Sequence, residues 1–212
     1  MSSDLIILCL SAYLLGSIPF AVLVSKGFHG IDVREHGSGN AGATNVFRVL
    51  GVKSGTIVLL LDIFKGMTAA NLAWLLWEPE SIELAAQNTI ELKLAFGILA
   101  VLGHLYPVFA KFKGGKGIAT LLGLVIAINP LLALGCISCF VLVLLLSRTV
   151  SIASIISTMM FGIFTYLIYG YGEPILLFFG IFAVLLVLFT HRSNLVRLWN
   201  GEEKRITLGK KK

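Results

Sequence analysis

Long apolar segments separated by short polar stretches dominate the chain. The apolar segments are 5–25, 56–77, 94–110, 118–146, 149–169 and 174–190. Most of them approach the roughly 20 residues that a helix needs to cross a hydrocarbon core of about 30 Å. Segment 118–146 is too long for one span, since at 1.5 Å per residue it would form a helix of about 43 Å. Asn129 and Pro130 divide it, because proline removes a backbone N–H and restrains the preceding residue. The pattern therefore predicts seven transmembrane helices.

The positions of lysine and arginine predict the orientation of these helices, since basic residues favour cytoplasmic loops. The basic groups are Lys26, Arg34, Arg48 and Lys53; Lys111, Lys113 and Lys116; Arg148; and Arg192, Arg197, Lys204, Arg205, Lys210, Lys211 and Lys212. The second loop instead carries Glu78, Glu80, Glu83 and Glu91. Seven spans place the N-terminus outside and the C-terminus in the cytoplasm, whereas six spans would put Arg148 and the basic tail on opposite sides. The weak point is the fourth span, 118–129, which at about 18 Å is short.

Composition agrees with an all-α integral membrane protein. Hydrophobic residues make up 57% of the chain and charged residues 13%, and the mean hydropathy is +0.93. An ordinary soluble domain is excluded by these values. We expect a single seven-helix membrane domain over residues 1–200 and a basic cytoplasmic tail over residues 201–212, with glycine-rich cytoplasmic loops forming the functional site.

One of these loops, KFKGGKG at 111–117, combines positive charge with backbone freedom. Lysine supplies charge, and the glycines let the backbone turn tightly and present bare N–H groups, a combination that suits a phosphate. The helical pattern resumes at Ile118, so the loop precedes a helix N-terminus, which also favours an anion. The alternative is a loop whose lysines reflect only the positive-inside tendency. Such a loop has no need of three glycines around Lys116. The sequence does not match the phosphate-binding motif Gly-x-x-x-x-Gly-Lys-Ser/Thr.

The first loop contains the densest polar stretch, HGSGNAGATNVFR at 36–48. Gly37, Gly39 and Gly42 match Gly-x-Gly-x-x-Gly, but no strand precedes them and no βαβ unit follows, so the dinucleotide interpretation fails on context. The remaining interpretation is a flexible concavity rich in hydrogen-bond donors for anions or hydroxyls. Its polar side chains are Ser38, Asn40, Thr44, Asn45 and Arg48. A merely solvated loop is the alternative.

Two further pairs of polar residues have helical spacing. Asp62 and Lys65 are i, i+3, about one to two turns into the second span, and we interpret them as a structural ion pair in preference to a catalytic one. His191 and Asn194 directly follow the last span. They would point the same way if that helix continued through them.

Together these motifs resemble one family. The runs GSGNAGATNVFR, GHLYPVFAKFKGGKGIAT and HRSN, with GSIPF in the first span and LDIFKG in the second, are similar to the bacterial acyl-phosphate:glycerol-3-phosphate acyltransferases, the PlsY family. The resemblance implies a multi-pass enzyme of the inner (cytoplasmic) membrane whose active site faces the cytoplasm. It would make lysophosphatidic acid, the first step of phospholipid synthesis. It further implies acyl phosphate and glycerol 3-phosphate as substrates, and as a partner the soluble acyltransferase that forms acyl phosphate.

The resemblance also assigns roles to residues. It implies catalytic roles for Ser38, Asn40, Lys116 and His191. It implies substrate-binding roles for Gly37, Gly39, Thr44, Asn45, Arg48, His104, Lys113, Gly114, Gly115, Gly117 and Asn194. We expect the lysine loop to cradle a substrate phosphate, and Ser38, Arg48, His191 and Asn194 to orient glycerol 3-phosphate. No metal, cofactor or nucleic acid is expected.

The chemistry predicts direct transfer in a ternary complex, because the phosphate of an acyl phosphate is already a good leaving group. Donors near Asn40 would offset the oxyanion. A Ser38 acyl-enzyme is the minority alternative. The chain lacks the His-x-x-x-x-Asp pattern of the common acyl-CoA class, which argues against that class.

Two other classes of membrane protein fit the sequence less well. A transporter of phosphate or an organophosphate should show paired repeats with broken helices near the midplane, whereas the polar clusters here fall on one predicted face. A CDP-alcohol phosphotransferase would need several intramembrane aspartates to hold metal, and Asp62 is the only aspartate in any span after the first.

Overall fold

The computed structural model describes residues 3–76 and 82–206, apart from the side chains of 82–88. The helices are α1 Ser3–Ser17, α2 Phe20–His29, α3 Ala43–Leu50, α4 Val52–Asn71, α5 Ile82–Leu105, α6 Ile118–Ile128, α7 Pro130–Ser147, α8 Val150–Tyr169, α9 Pro174–Thr190 and α10 Arg192–Trp199. Short 3-10 turns lie at Val33–Glu35, Leu72–Leu76 and Val108–Ala110. The described part of the chain contains no strand, so the all-α prediction is confirmed. Glu78, Glu80 and the end of the predicted tail from residue 207 lie outside the described residues.

Several helices are long and apolar enough to cross a membrane. Four qualify alone, namely Val52–Leu76, Thr89–Ala110, Pro130–Ser147 and Val150–Tyr169. Two bent pairs qualify when each is taken as one span: α1 with α2, bent by 41°, and α9 with α10, bent by 63°. Helix α6 is apolar but shorter. The described residues thus contain four to six apolar spans. Seven spans and their orientation stay predictions.

The first span is broken at Ile18 and Pro19, which separate α1 from α2. Beside this break the span packs closely on α5. A Cβ added at Gly16 would overlap the backbone of Ala100, and one added at Gly103 would overlap Tyr13 O. Small residues let two backbones approach in this way. The first span is therefore both bent at Pro19 and closely packed on α5 through its glycine.

Helix α6 lies against α4 through two further glycines. A Cβ at Gly66 would overlap Thr120 O, and a Cβ at Gly123 would overlap Ile63 O. These backbone contacts fix α6 on α4, so the loop that leads into α6 is held at a defined position. This packing sets the place of the lysine loop.

The structure divides into two compact units, Met1–Pro130 and Leu131–Lys212. The division coincides with the predicted break, because Asn129 is extended (φ −154°, ψ 112°) and α7 begins at Pro130. In the second unit, Phe161 of α8 and Phe179 of α9 stack edge to face with ring centroids 5.6 Å apart. The prediction of one domain over 1–200 stays a prediction.

Candidate functional site

The first glycine-rich loop is anchored by Asp32. Its carboxylate accepts hydrogen bonds from the backbone N–H of Arg34 at 3.0 Å and from the Arg34 guanidinium at 2.7 and 3.0 Å, and Lys26 Nζ lies 3.1 Å away. The Arg34 side chain, opposed by burial, holds the pKa of Asp32 well below its usual value. Arg34 Nη1 also donates to Ala110 O at 3.0 Å, which ties the first loop to the lysine loop.

Asn45 gives the same loop its shape from inside. It is buried, its Nδ2 donates to Val33 O at 2.9 Å and His36 O at 3.0 Å, and its Oδ1 accepts the Ser38 N–H at 2.8 Å. A Cβ at Gly37, whose φ is +67°, would overlap Asn45 Oδ1, so a larger residue does not fit there. The Ser38 residue itself is exposed. The hydrogen bonds of Asn45 therefore fix the conformation of the loop that carries Ser38.

The predicted flexible stretch 36–48 is only partly a loop. The loop ends at Gly42, because helix α3 begins at Ala43. Helix α3 forms because it is amphipathic: Asn45 and Val46 are buried, whereas Thr44 and Arg48, four residues apart, are exposed. The apolar spacing of Val46, Val49 and Leu50 was the missed signal in the sequence. The helix places Thr44 and Arg48 on one exposed face.

The lysine loop is a tight turn that leads into α6. Lys111 and Phe112 have φ of 55° and 58°, Gly117 has φ of +81°, and α6 begins at Ile118 as predicted. Lys111 and Lys113 are exposed and Lys116 is half-buried. The N-terminus of α6 and these lysines give the turn the positive character that an anion site requires.

The turn is packed onto the end of α5. The Gly115 N–H donates to His104 O at 3.2 Å. A Cβ at Gly114 would overlap His104 O, and a Cβ at Gly115 would overlap His104 Nε2. Neither position has room for a side chain.

The two glycine-rich loops meet at Gly115. A Cβ built there would lie 3.1 Å from Ala41 O, and one built on Gly42 would lie 4.0 Å from the Gly115 Cα. The GSGNAGA run and the GGKG run, far apart in sequence, thus form one surface in the first unit. We call residues 37–42 with residues 113–117 the glycine surface.

Beneath the glycine surface lies a group of buried charges. Lys65 Nζ is 2.9 Å from Asp62 Oδ1, which confirms the predicted ion pair, and it also donates to Ile18 O at 3.0 Å. The sequence did not predict that His104 joins this pair, with Nδ1 3.5 Å from Asp62 Oδ1. Helix α4 begins at Val52, four residues before the predicted span, so Asp62 comes almost three turns after the start of the helix and one to two turns into the predicted span.

In the second unit, His191 and Asn194 lie at the bend between α9 and α10. Both are buried, and His191 O accepts the Asn194 N–H at 2.8 Å. The His191 Nδ1 lies 2.9 Å from Val187 O, so the tautomer with the proton on Nδ1 fits this carbonyl. The helix does not continue straight through them as the sequence expectation required, because it bends by 63° at His191.

Glu203 holds this bend and was not predicted as a functional residue. Its carboxylate accepts hydrogen bonds from Asn194 Nδ2 at 2.5 Å, Arg197 Nε at 2.9 Å and Ser151 Oγ at 2.9 Å. Burial alone would raise the pKa of Glu203, but these hydrogen bonds outweigh burial and lower it. The Ile206 N–H also donates to Arg148 O at 2.8 Å. The beginning of the predicted tail is thus bonded to the α7–α8 turn. The signal in the sequence that could have identified Glu203 was an acidic residue within a mostly basic tail.

Comparison with known proteins gives consistent matches along the chain. The family model described as glycerol-3-phosphate acyltransferase matches residues 6–201. The glycerol-3-phosphate acyltransferase of Geobacillus kaustophilus is 43% identical over 94% of this chain and 95% of its own length. The glycerol-3-phosphate acyltransferase of Chlorobium limicola is 41% identical over 94% of this chain and 95% of its own length.

Two solved structures are also similar. Both are of PlsY, an integral membrane glycerol 3-phosphate acyltransferase. The glycerol 3-phosphate form is 40% identical with a TM-score of 0.84, and the match covers 97% of this chain and 96% of that one. The lysophosphatidic acid form is 39% identical with a TM-score of 0.82. With the apolar helices described above, these matches make the chain an integral membrane protein.

Proposed function

This chain belongs to the glycerol-3-phosphate acyltransferase family, and we propose that it transfers a fatty acyl group from acyl phosphate to the 1-hydroxyl of glycerol 3-phosphate. The products are lysophosphatidic acid and inorganic phosphate. The observation that carries this proposal is the meeting of the two glycine-rich loops at Gly115, beside lysines and the start of α6. Both substrates contain phosphate, and this surface offers backbone N–H groups and positive charge to one.

The lysine loop binds the phosphate of the donor in this proposal. Gly114, Gly115 and Gly117 let the backbone approach the anion closely, and Lys113 and Lys116 supply positive charge. A Cβ has no space at Gly114 or Gly115, so the conformation of this turn requires glycine at both positions. This requirement supports a role for the turn in binding. His104 lies directly under this turn, so we assign it to the donor side of the site.

Polar side chains orient the acceptor in this proposal. Arg48, exposed on α3, takes the phosphate of glycerol 3-phosphate in a bidentate fork, with Thr44 on the same helix face. Ser38 binds an acceptor hydroxyl. For His191 and Asn194, a role in binding glycerol 3-phosphate stays a prediction from the family resemblance. Asn45 contributes by shaping the loop through Gly37 and Ser38, since its amide is already bonded to the backbone.

Transfer is direct. The acceptor hydroxyl oxygen bonds to the acyl carbon, the bond from that carbon to the phosphate oxygen breaks, and phosphate and the hydroxyl proton are released. Donors around Gly39 and Asn40 stabilise the oxyanion that forms on the way. The leaving group supports this route over an acyl-enzyme on Ser38, because phosphate departs readily and no covalent intermediate is needed.

We place the reaction at the cytoplasmic face of the bacterial inner membrane. There the acyl chain enters the bilayer and the phosphate groups stay in water. A soluble acyltransferase that forms acyl phosphate is the proposed partner, because acyl phosphate must be supplied from the cytoplasm.

An assay of the purified protein in lipid nanodiscs tests the proposal. Palmitoyl phosphate with labelled glycerol 3-phosphate should give labelled lysophosphatidic acid, and palmitoyl-CoA should give none. A chelator should leave the rate unchanged. Uptake of labelled glycerol 3-phosphate into proteoliposomes without product would instead indicate a transporter.

A further inference from the structure

A continuous line of contacts runs from the break in the first span to the lysine loop. Lys65 donates to Ile18 O at the break and pairs with Asp62, and Asp62 faces the ring of His104, which lies against Gly115. All three charged or titratable side chains are buried, with Asp62 1% exposed, Lys65 3% and His104 6%. Burying charge in an apolar helix bundle is costly and needs a reason.

Neutralising the charge of Lys65 does not account for all the contacts of Asp62. Lysine presents three donors, and Lys65 uses the Ile18 carbonyl as well as the carboxylate. Apart from the ion-pair contacts given above, Asp62 Oδ1 and His104 Nδ1 have no hydrogen-bond partner within the described residues, and both atoms are buried. Each is therefore the polar group that can satisfy the other.

The ring of His104 forms the floor of the glycine turn. Its Nε2 occupies the space that a Cβ of Gly115 would need, while the backbone carbonyl of the same residue accepts the Gly115 N–H at 3.2 Å. The conformation of the turn thus depends on the direction in which this ring points.

A polar partner fixes which way the ring faces. A small pocket is lined by Asp62, Lys65 and His104, and by Gly114 of the turn. Asp62 Oδ1, 3.5 Å from Nδ1, is the buried acceptor that holds the imidazole in this orientation.

We propose that Asp62 is a positioning residue: through the imidazole of His104 it holds the Gly114–Gly115 turn in the shape that receives phosphate. Asp62 itself does not contact substrate. The inference rests on the proposed function only in assigning a phosphate to this turn. It adds a buried, sequence-distant support to a loop otherwise attributed to its glycines and lysines.

The test compares Asp62→Asn, His104→Gln and the double variant with the unaltered protein. The affinity for inorganic phosphate is measured from thermal protection of the purified, nanodisc-embedded protein. Each single variant should weaken phosphate binding about tenfold, which corresponds to about 1.4 kcal/mol. The double variant should be no weaker than His104→Gln, because Asp62 acts through the ring. Unchanged phosphate affinity in Asp62→Asn, or fully additive losses, would overturn the proposal.

Lys93→Gln is the matched control. Lys93 is another buried charge of α5, about three turns before His104, and it donates to Ala127 O at 2.7 Å. This variant should lower the unfolding temperature and leave phosphate affinity unchanged. If it weakened phosphate binding as much as Asp62→Asn, general destabilisation would explain both results and the proposal would fail.

A replacement variant covers the case in which Asp62→Asn does not fold, and two further outcomes separate this inference from the proposed function. If Asp62→Asn does not fold, Asp62→Glu replaces it, since it keeps the charge for Lys65 but displaces the carboxylate. Weaker phosphate binding supports the proposal, and wild-type affinity contradicts it. A wild-type protein that binds phosphate but transfers no acyl group refutes the proposed function alone. Normal transfer with normal phosphate affinity in the Asp62 variants refutes this inference alone.

Discussion

The two compact units hold their candidate site residues in different ways. In the first unit, backbone N–H groups are arranged by close packing, with Asn45 inside one loop and His104 beneath the other. In the second unit, the carboxylate of Glu203 gathers side-chain donors around the α9–α10 bend. The first arrangement is sensitive to added volume and the second to loss of one charge. Substitutions of these two kinds should therefore separate the contributions of the units.

The largest effect is expected from Gly115→Leu. The side chain would overlap His104 Nε2 and displace the turn, and a displacement of about 1 Å in a positioned site can cost about 100-fold in rate. We expect acyl transfer to fall at least that far while the protein still inserts and folds in membranes. The steady-state rate with palmitoyl phosphate measures this.

Gly27→Leu is the control for this substitution. A Cβ at Gly27 of α2 meets nothing within 4 Å, so added volume alone is tolerated there. It should keep wild-type activity. Full activity in Gly115→Leu would contradict the role given to the glycine surface.

A smaller effect is expected from Arg48→Lys, which keeps the charge of the first unit but removes the planar fork. An ammonium cannot form two parallel hydrogen bonds to one phosphate. The KM for glycerol 3-phosphate should rise about tenfold with little change in the KM for acyl phosphate. Arg192→Lys, an exposed arginine of α10, should leave both constants unchanged. An unaltered acceptor KM in Arg48→Lys would count against the assignment of Arg48.

The smallest effect on the reaction, and the clearest on stability, is expected from Glu203→Gln. Losing the charge weakens hydrogen bonds to Asn194, Arg197 and Ser151, at a cost of about 1–3 kcal/mol in unfolding free energy. Because the pKa of Glu203 is lowered on folding, its stabilising contribution is present above the unfolded value of about 4.3. That contribution disappears as the pH falls through the folded value.

Thermal unfolding at a series of pH values checks this prediction. The difference in stability between wild type and Glu203→Gln should be full at pH 7 and should shrink below about pH 4.3. Glu202→Gln is the control, since the neighbouring Glu202 is exposed. A difference that stays constant into acid would show that the Glu203 charge does not stabilise the fold.

Local signals in the sequence predicted much of the helical framework. The start of α6 at Ile118 and the break at Pro130 follow from glycine and proline chemistry, which acts within a few residues. The Asp62–Lys65 pair follows from i, i+3 spacing. Features that depend on distant contacts were not predicted. His104 meets Asp62 only because α5 and α4 are packed together.

The same distinction applies to the candidate site. The motifs marked the glycine and lysine loops, because their composition is unusual for a loop. They did not distinguish residues that face a substrate from those that support the backbone, as Asn45 does. Nor did they mark Glu203, whose importance arises from donors on α8 and α10. Composition identifies such a loop, whereas the packing beneath it requires the structure.

The central claim is direct transfer between two bound phosphate-containing substrates, and two-substrate initial rates test it most directly. Formation of lysophosphatidic acid is measured while palmitoyl phosphate and glycerol 3-phosphate are varied against each other. The account predicts intersecting double-reciprocal lines, as a ternary complex requires. Parallel lines, accompanied by an acyl group on Ser38 in mass spectra when glycerol 3-phosphate is withheld, would contradict it.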